Sequence, residues 1–148
     1  MSKKDAIQSH IEVLMQQYLQ SDELQVDCDG DIPVRHNTAV YTVRLAPRDT
    51  ACEPHVEVYA VVVADVDADP GLYEALNSIN RKLSHARAFW VDRKVVMASE
   101  LVGPSVDLPT LACVCDEISI AAHVEGPTLA NTFGGRVACP EAIDEEDA

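Results

Sequence analysis

The sequence is short of positive charge and of aromatic side chains, and it has no long apolar run. Eleven Lys and Arg stand against twenty-five Asp and Glu, for a net charge of −14 and a pI near 4.5. A surface this negative repels phosphate backbones and anionic headgroups, which argues against direct binding of nucleic acid or membrane. No stretch approaches the roughly 18 apolar residues that a bilayer span needs. The residues after Met1 enter a polar amphipathic segment rather than an apolar leader, so a cytoplasmic location is expected. A glycine-rich phosphate loop is also missing, because Phe133-Gly134-Gly135-Arg136 closes a helical pattern instead of opening one. Cys28, Cys52, Cys113, Cys115 and Cys139 are odd in number and irregularly spaced, which suits reduced, packed thiols better than a disulfide framework.

What the sequence does contain is ordinary globular material. Hydrophobic residues make up 47% and charged residues 24% of 148 positions, enough for one domain with its own core. Part of the acidity is local, with Glu141, Asp144, Glu145, Glu146 and Asp147 among the last eight residues. Residues 1–136 are therefore expected to form a single domain and residues 137–148 a disordered acidic tail.

Hydropathy periodicity orders the elements. Ile7, Ile11, Leu14, Met15 and Tyr18 form one helical stripe in Lys4–Leu19. Leu24–Cys28 alternates weakly, Asp29-Gly30 is a turn dipeptide, and strands follow at Asp31–Arg35 and Ala39–Leu45. In the second of these, Tyr41, Val43 and Leu45 should face the core. His55–Val63 begins with alternation and ends in Val61-Val62-Val63-Ala64, a run suited to a strand covered on both faces. Asp69 and Pro70 are a natural N-cap and first residue for a helix whose buried stripe is Leu72, Ala75, Leu76, Ile79 and Leu83. Arg87–Val91 and Val95–Val102 make a hairpin. Asp107 then caps a long helix, and Gly126-Pro127 predicts a kink there or two short helices. The expectation is an α/β (α+β) fold in the order α-βββ-α-ββ-α, with an antiparallel sheet of about five strands and helices packed on it.

Candidate chemistry is sparse. Asp27-Cys28-Asp29-Gly30-Asp31 fails as a calcium loop, because its glycine is fourth rather than sixth and the twelfth residue is Thr38. Cys113-x-Cys115 lies in a helix, where residues two apart diverge, and its distance from His123 and Cys139 matches no zinc signature. Cys28, His36 and Asp31 lack the elbow or oxyanion-hole pattern of a nucleophilic enzyme. His10 and His85 should sit on wet faces. Two asparagines in one helix, Asn77 and Asn80, point to specific polar contacts, either structural or across a dimer. Phe89-Trp90 is the one concentration of large aromatics, and adjacent strand residues face opposite sides. Core filling on both faces is the simpler reading of that pair; a contact surface is the other.

Taken in order, Asp29-Gly30-Asp31-Ile32-Pro33-Val34, Pro70-Gly71-Leu72-Tyr73-Glu74-Ala75-Leu76-Asn77, Asn80, Ala86-Arg87, Phe89-Trp90, Glu100-Leu101, Gly126-Pro127 and Phe133-Gly134-Gly135 resemble the YbjN-like branch of the type III secretion chaperone-like superfamily. The similarity runs from about residue 7 to residue 135. It implies a compact, usually homodimeric α/β sandwich that binds extended segments of a client protein, needs no cofactor and catalyses nothing. An exposed strand edge would supply backbone hydrogen bonds to the client. Ile32, Val34, Trp90 and Val96 are the side chains expected at that surface. The competing expectation is a small-molecule- or metal-responsive regulatory domain that uses the cysteines or a pocket between helix and sheet.

Overall fold

A computed structural model describes residues 2–36, 38–46 and 53–138. The first helix, α1 (Lys3–Leu19), opens on a capping box in which the Ser2 hydroxyl accepts from Asp5 N–H and the Asp5 carboxylate accepts from Ser2 N–H. It ends at Gln20 in the left-handed region, with φ of 53°. Strands β1 (Ile32–His36), β2 (Ala39–Leu45) and β3 (His55–Ala64) follow. Helix α2 (Pro70–Lys82) is capped by Asp69, whose carboxylate accepts from Gly71 N–H at 2.7 Å. Strands β4 (Arg87–Val91) and β5 (Lys94–Val102) are joined at Asp92 and Arg93, both with positive φ, the geometry of a tight hairpin turn. Helix α3 (Leu108–Phe133) takes its cap from Asp107, and a two-residue strand β6 (Arg136–Val137) follows it.

The sheet is antiparallel in the order β1-β2-β3-β5-β4, and β6 pairs with β3 beside Val63 and Ala64. Ile32, Val34, Tyr41, Val43, Val56, Val58, Ala60, Ala88, Val95 and Met97 all point to one face. There they share a core with Ile7, Ile11, Leu14 and Met15 of α1, Leu72, Leu76 and Ile79 of α2, and Leu111, Val114, Cys115, Ile118, Ala122 and Leu129 of α3. All three helices thus lie on the same side. Val40 and Ala98 are buried too, yet they stand on the other face and outside that core.

The fold keeps the expected order and corrects several details. Leu24–Cys28 forms no strand. Its end enters a turn in which one Asp27 carboxylate oxygen accepts from both Asp29 N–H and Asp31 N–H at 2.9 Å. The valine run of β3 reflects a bulge rather than cover on both faces. Val61 pairs Val96 and Val63 pairs Val95, so the extra residue Val62 turns inward with Val63. Gly126-Pro127 does not divide the last helix, which is continuous over 26 residues. A Cβ at Gly126 would lie 3.3 Å from Val62 Cγ1 and 3.6 Å from Val137 Cγ1, so glycine lets α3 sit close against β3 and β6. Of the expected tail, Val137 belongs to β6, and residues 139–148 fall outside the described residues. Cys52 and Cys139 do as well.

Seating of α3 on the bulge makes a measurable difference between two substitutions. Gly126→Ala should stay within about 1 kcal/mol of the parent, because better helix propensity offsets slight crowding. Gly126→Leu should lose about 3 kcal/mol by overpacking in urea unfolding. Equal tolerance of both would mean that α3 does not rest on Val62.

Candidate functional site: an open sheet face with guarded edges

The face turned away from the helices is built by the alternate residues of five strands. One row crosses the whole sheet as Pro33, Thr42, Tyr59, Ala98 and Arg87, each registered on the next. Beside it run Val61, Val96 and Phe89, with Arg35 and Val40 on the β1–β2 side. On the other flank Arg44, Glu57 and Glu100 form a third row. The centre is therefore apolar and aromatic, and the margins are charged. The Arg44 guanidinium bonds the Glu57 carboxylate at 2.8 and 2.9 Å and lies 4.4 Å from the centroid of the Tyr59 ring. Arg87 stands 5.6 Å from the Phe89 ring centroid. These cations shade the aromatic faces without removing them from solvent.

Outer strands normally offer unpaired backbone groups, and here side chains occupy some of those in and beside the outer strands. On β4, Asn80 of α2 donates from Nδ2 to the Ala88 carbonyl at 3.0 Å and accepts from Ala88 N–H at 2.7 Å, as a neighbouring strand would. Just before β4, the Glu117 carboxylate of α3 accepts from the N–H groups of Ser84, His85 and Ala86 at 2.8–2.9 Å. On the far side, Asp27 engages both backbone groups of Asp31 at the entry to β1. Pro33 within β1 has no N–H to offer. Burial alone would raise the Glu117 pKa, but the three amide donors and His85 outweigh it and hold the group below its ordinary value.

Sequence reasoning placed four residues at the contact surface, and the fold separates them. Ile32 and Val34 are 1% and 6% exposed beneath the helices, so their side chains reach no external ligand. Trp90 also turns to the helix side. Its Nε1–H donates to the Val66 carbonyl at 2.9 Å, and its ring meets Tyr73 edge-on at 6.4 Å. Only Val96 lies on the open face, next to Phe89. Phe89 and Trp90 thus divide between the two faces, and only Trp90 packs against the core. Asn80 bonds the backbone of Ala88 within the chain, while Asn77 is exposed beside Tyr73, Glu74 and Ser78. The edge clamp by Glu117 was not read from the sequence, because nothing local links it to residues some thirty positions earlier.

The other candidates resolve as packing or turns. Cys115 is buried beside Tyr41, and burial pushes its thiol up to about 12, while Cys113 is exposed. Tyr18 donates to the Asp116 carboxylate at 2.5 Å at the edge of the same polar contact. Cys28 and Asp31 lie in and after the turn, and His36 stands at the far end of β1, about 16 Å along an extended chain from Asp31. His10 and His85 are exposed, and His10 contacts the Val106 carbonyl at 2.8 Å. Among the described residues no group of three His, Cys, Asp or Glu could hold a metal ion, and no helix is long and apolar enough to cross a membrane. Ile120 and Val124 of α3 are 58% and 57% exposed, beside a groove of about 310 Å³ between α2 and α3 that Ile79, Leu83 and Ala121 also line.

The edge clamps predict a distinctive defect. Asn80→Ala should cost about 1–2 kcal/mol and expose the Ala88 amide to fast hydrogen exchange while the centre of β5 stays protected. Glu117→Gln should weaken the fold above the ordinary carboxylate pKa of about 4.5 and flatten the pH dependence below it. The sign follows from the lowered pKa, since that stabilisation is present above the unfolded value and is lost as pH falls through the folded one.

Several solved structures share the architecture. The crystal structure of the ExsC–ExsE complex contains a chain that superposes with a TM-score of 0.59 at 17% identity, over 81% of this chain and 93% of that one. The HopA1–SchA chaperone–effector complex gives 0.63 at 11% identity, over 83% and 95%. YbjN from E. coli gives 0.49 at 19% identity, over 80% and 89%. No curated protein matches the chain by sequence. A family model does match it, from residue 5 to residue 141, across every helix and strand described above except the first two residues of α1. The chain therefore belongs to the family of T3SS (YopN, CesT) and YbjN peptide-binding chaperone 1.

Proposed function

We propose that this chain is a cytoplasmic, non-enzymatic chaperone-like module that binds an extended segment of a partner protein on the open face of its sheet and works as a homodimer. The observation that carries the reading is the partly exposed apolar centre formed by Tyr59, Val61, Phe89 and Val96 around the buried Val40 and Ala98, with α1, α2 and α3 on the opposite side. A contiguous apolar patch bordered by charge is the usual signature of a protein contact. Family membership supports the same direction, and the ExsC–ExsE and HopA1–SchA structures each hold a chain of this fold with another protein. Recognition would rest on side chains of the face more than on strand addition, since Asn80, Glu117, Asp27 and Pro33 guard the margins. The second copy is assigned to α3, where Ile120 and Val124 expose apolar surface four residues apart next to the α2–α3 groove.

The two surfaces are separable by mutation. Light scattering should give twice the 16.1 kDa chain mass for the parent protein and a single chain mass for Ile120→Glu/Val124→Glu. Val96→Glu should remain a dimer, unfold within a few degrees of the parent, and lose capture of the partner by crosslinking in native extract. Unchanged capture by that variant would remove the open face from the function. A parent protein that is monomeric at all concentrations would remove the homodimer.

A further inference from the structure

The open face differs in charge from the rest of the molecule. Its strands carry Arg35, Arg44, Arg87 and Lys94 against Glu57 and Glu100, whereas the whole chain has more than two acids for each Lys or Arg. The acids collect elsewhere: Asp22, Glu23, Asp27 and Asp29 before β1, Asp65, Asp67 and Asp69 before α2, and Asp116 and Glu125 on α3. On the face, Arg44 is matched by Glu57, and on the β4–β5 side the exposed Arg87 and Lys94 stand against Glu100 alone, which leaves an excess of one positive charge there. Both lie within one or two residues of the apolar centre, because Arg87 pairs with Ala98 and Lys94 stands two positions before Val96 on the same strand face.

We infer that the partner segment received by this face alternates apolar side chains with Asp or Glu, its carboxylates meeting Arg87 and Lys94 while its apolar residues cover Val61, Phe89 and Val96. The inference rests on the reading that the open face is the binding surface, and it adds which segments that surface accepts. A basic segment would be drawn instead to the acidic helical side and loops, away from the apolar centre. An acidic one is repelled there and attracted only here, so the charge separation sets both the landing site and the choice of partner.

Selection of a displayed library of short random peptides against the full chain tests this. The enriched peptides should alternate apolar residues with Asp or Glu, and Arg87→Glu/Lys94→Glu should bind them at least about tenfold more weakly. That double variant should enrich Lys- or Arg-bearing peptides from the same library. Both positions are exposed, so the variant should fold as the parent does. Enrichment of neutral or basic peptides by the parent, or an acidic preference that survives the double substitution, overturns the inference while leaving the face itself in place, provided that Val96→Glu abolishes their capture. Peptides that Val96→Glu still captures, or no enrichment at all, overturn the inference together with the binding-face reading. Saturable binding of a synthetic peptide of residues 139–148, dissociation of the dimer by the double variant, or its loss of phosphatidylserine-vesicle binding would give the face to the chain's own end, to a second copy or to lipid. Each of those results overturns an external protein partner.

Discussion

All three helices cover the same side of the sheet, and that one-sidedness governs almost every other choice in the molecule. A strand in such a layer must be apolar at every second residue, and β2 and β3 obey it. Tyr41, Val43, Val56 and Val58 are sealed, while Thr42, Arg44, Glu57 and Tyr59 alternate with them toward water. Valine is the commonest residue of the inner face, and its stiff, branched side chains fill the shallow space beneath helices packed close to a twisted sheet. Where the packing must become closer still, the backbone yields. The β3 bulge turns two consecutive valines inward, and Gly126 lets α3 descend onto them.

An uncovered sheet face creates a second problem, since a sheet that is both bare and open at its edges tends to add further strands. Side chains close part of each edge here, and at Ala88 one imitates a missing neighbour. Asn80 supplies one donor and one acceptor to Ala88 at strand-like distances, a role that an aspartate could fill only on the N–H side. Glu117 gathers three amides that would otherwise emerge from the α2–β4 connection unpaired, and in doing so it ties α3 to the start of the edge strand. The open face can therefore remain apolar at its centre, because the route by which such surfaces usually aggregate is narrowed at the margin.

Much of this architecture was legible from periodicity. The amphipathic stripe of α1, the Asp69-Pro70 and Asp107 caps and the β4–β5 hairpin are local signals, and they landed within one or two residues of the observed ends. The alternation of β2 also stated which side of the sheet would be wet. What could not be read was how distant segments close on one another. An apolar run in β3 looks the same whether two helical layers cover it or a bulge turns it, and Gly126-Pro127 reads as a break unless the neighbouring strand is known. Ile32 and Val34 were expected at the contact surface. Their parity with Val43 and Tyr41 instead puts them under the helices, and that parity depends on a register that only the paired strand defines.

Composition acquires a different meaning once the faces are known. A net charge of −14 predicts solubility and repulsion of polyanions when spread over a sphere, but it is not spread evenly. Most acids sit on loops and on the helical side, whereas the layer that the helices leave open carries Arg35, Arg44, Arg87 and Lys94 against Glu57 and Glu100. Arginine suits that position better than lysine would, because its flat, weakly hydrated head can rest on Tyr59 or Phe89 and still swing toward a carboxylate. A partner approaching this layer face-on meets side chains rather than backbone amides. Discrimination between segments then lies in charge and shape on the face, which are differences that sequence can vary without disturbing the core on the other side.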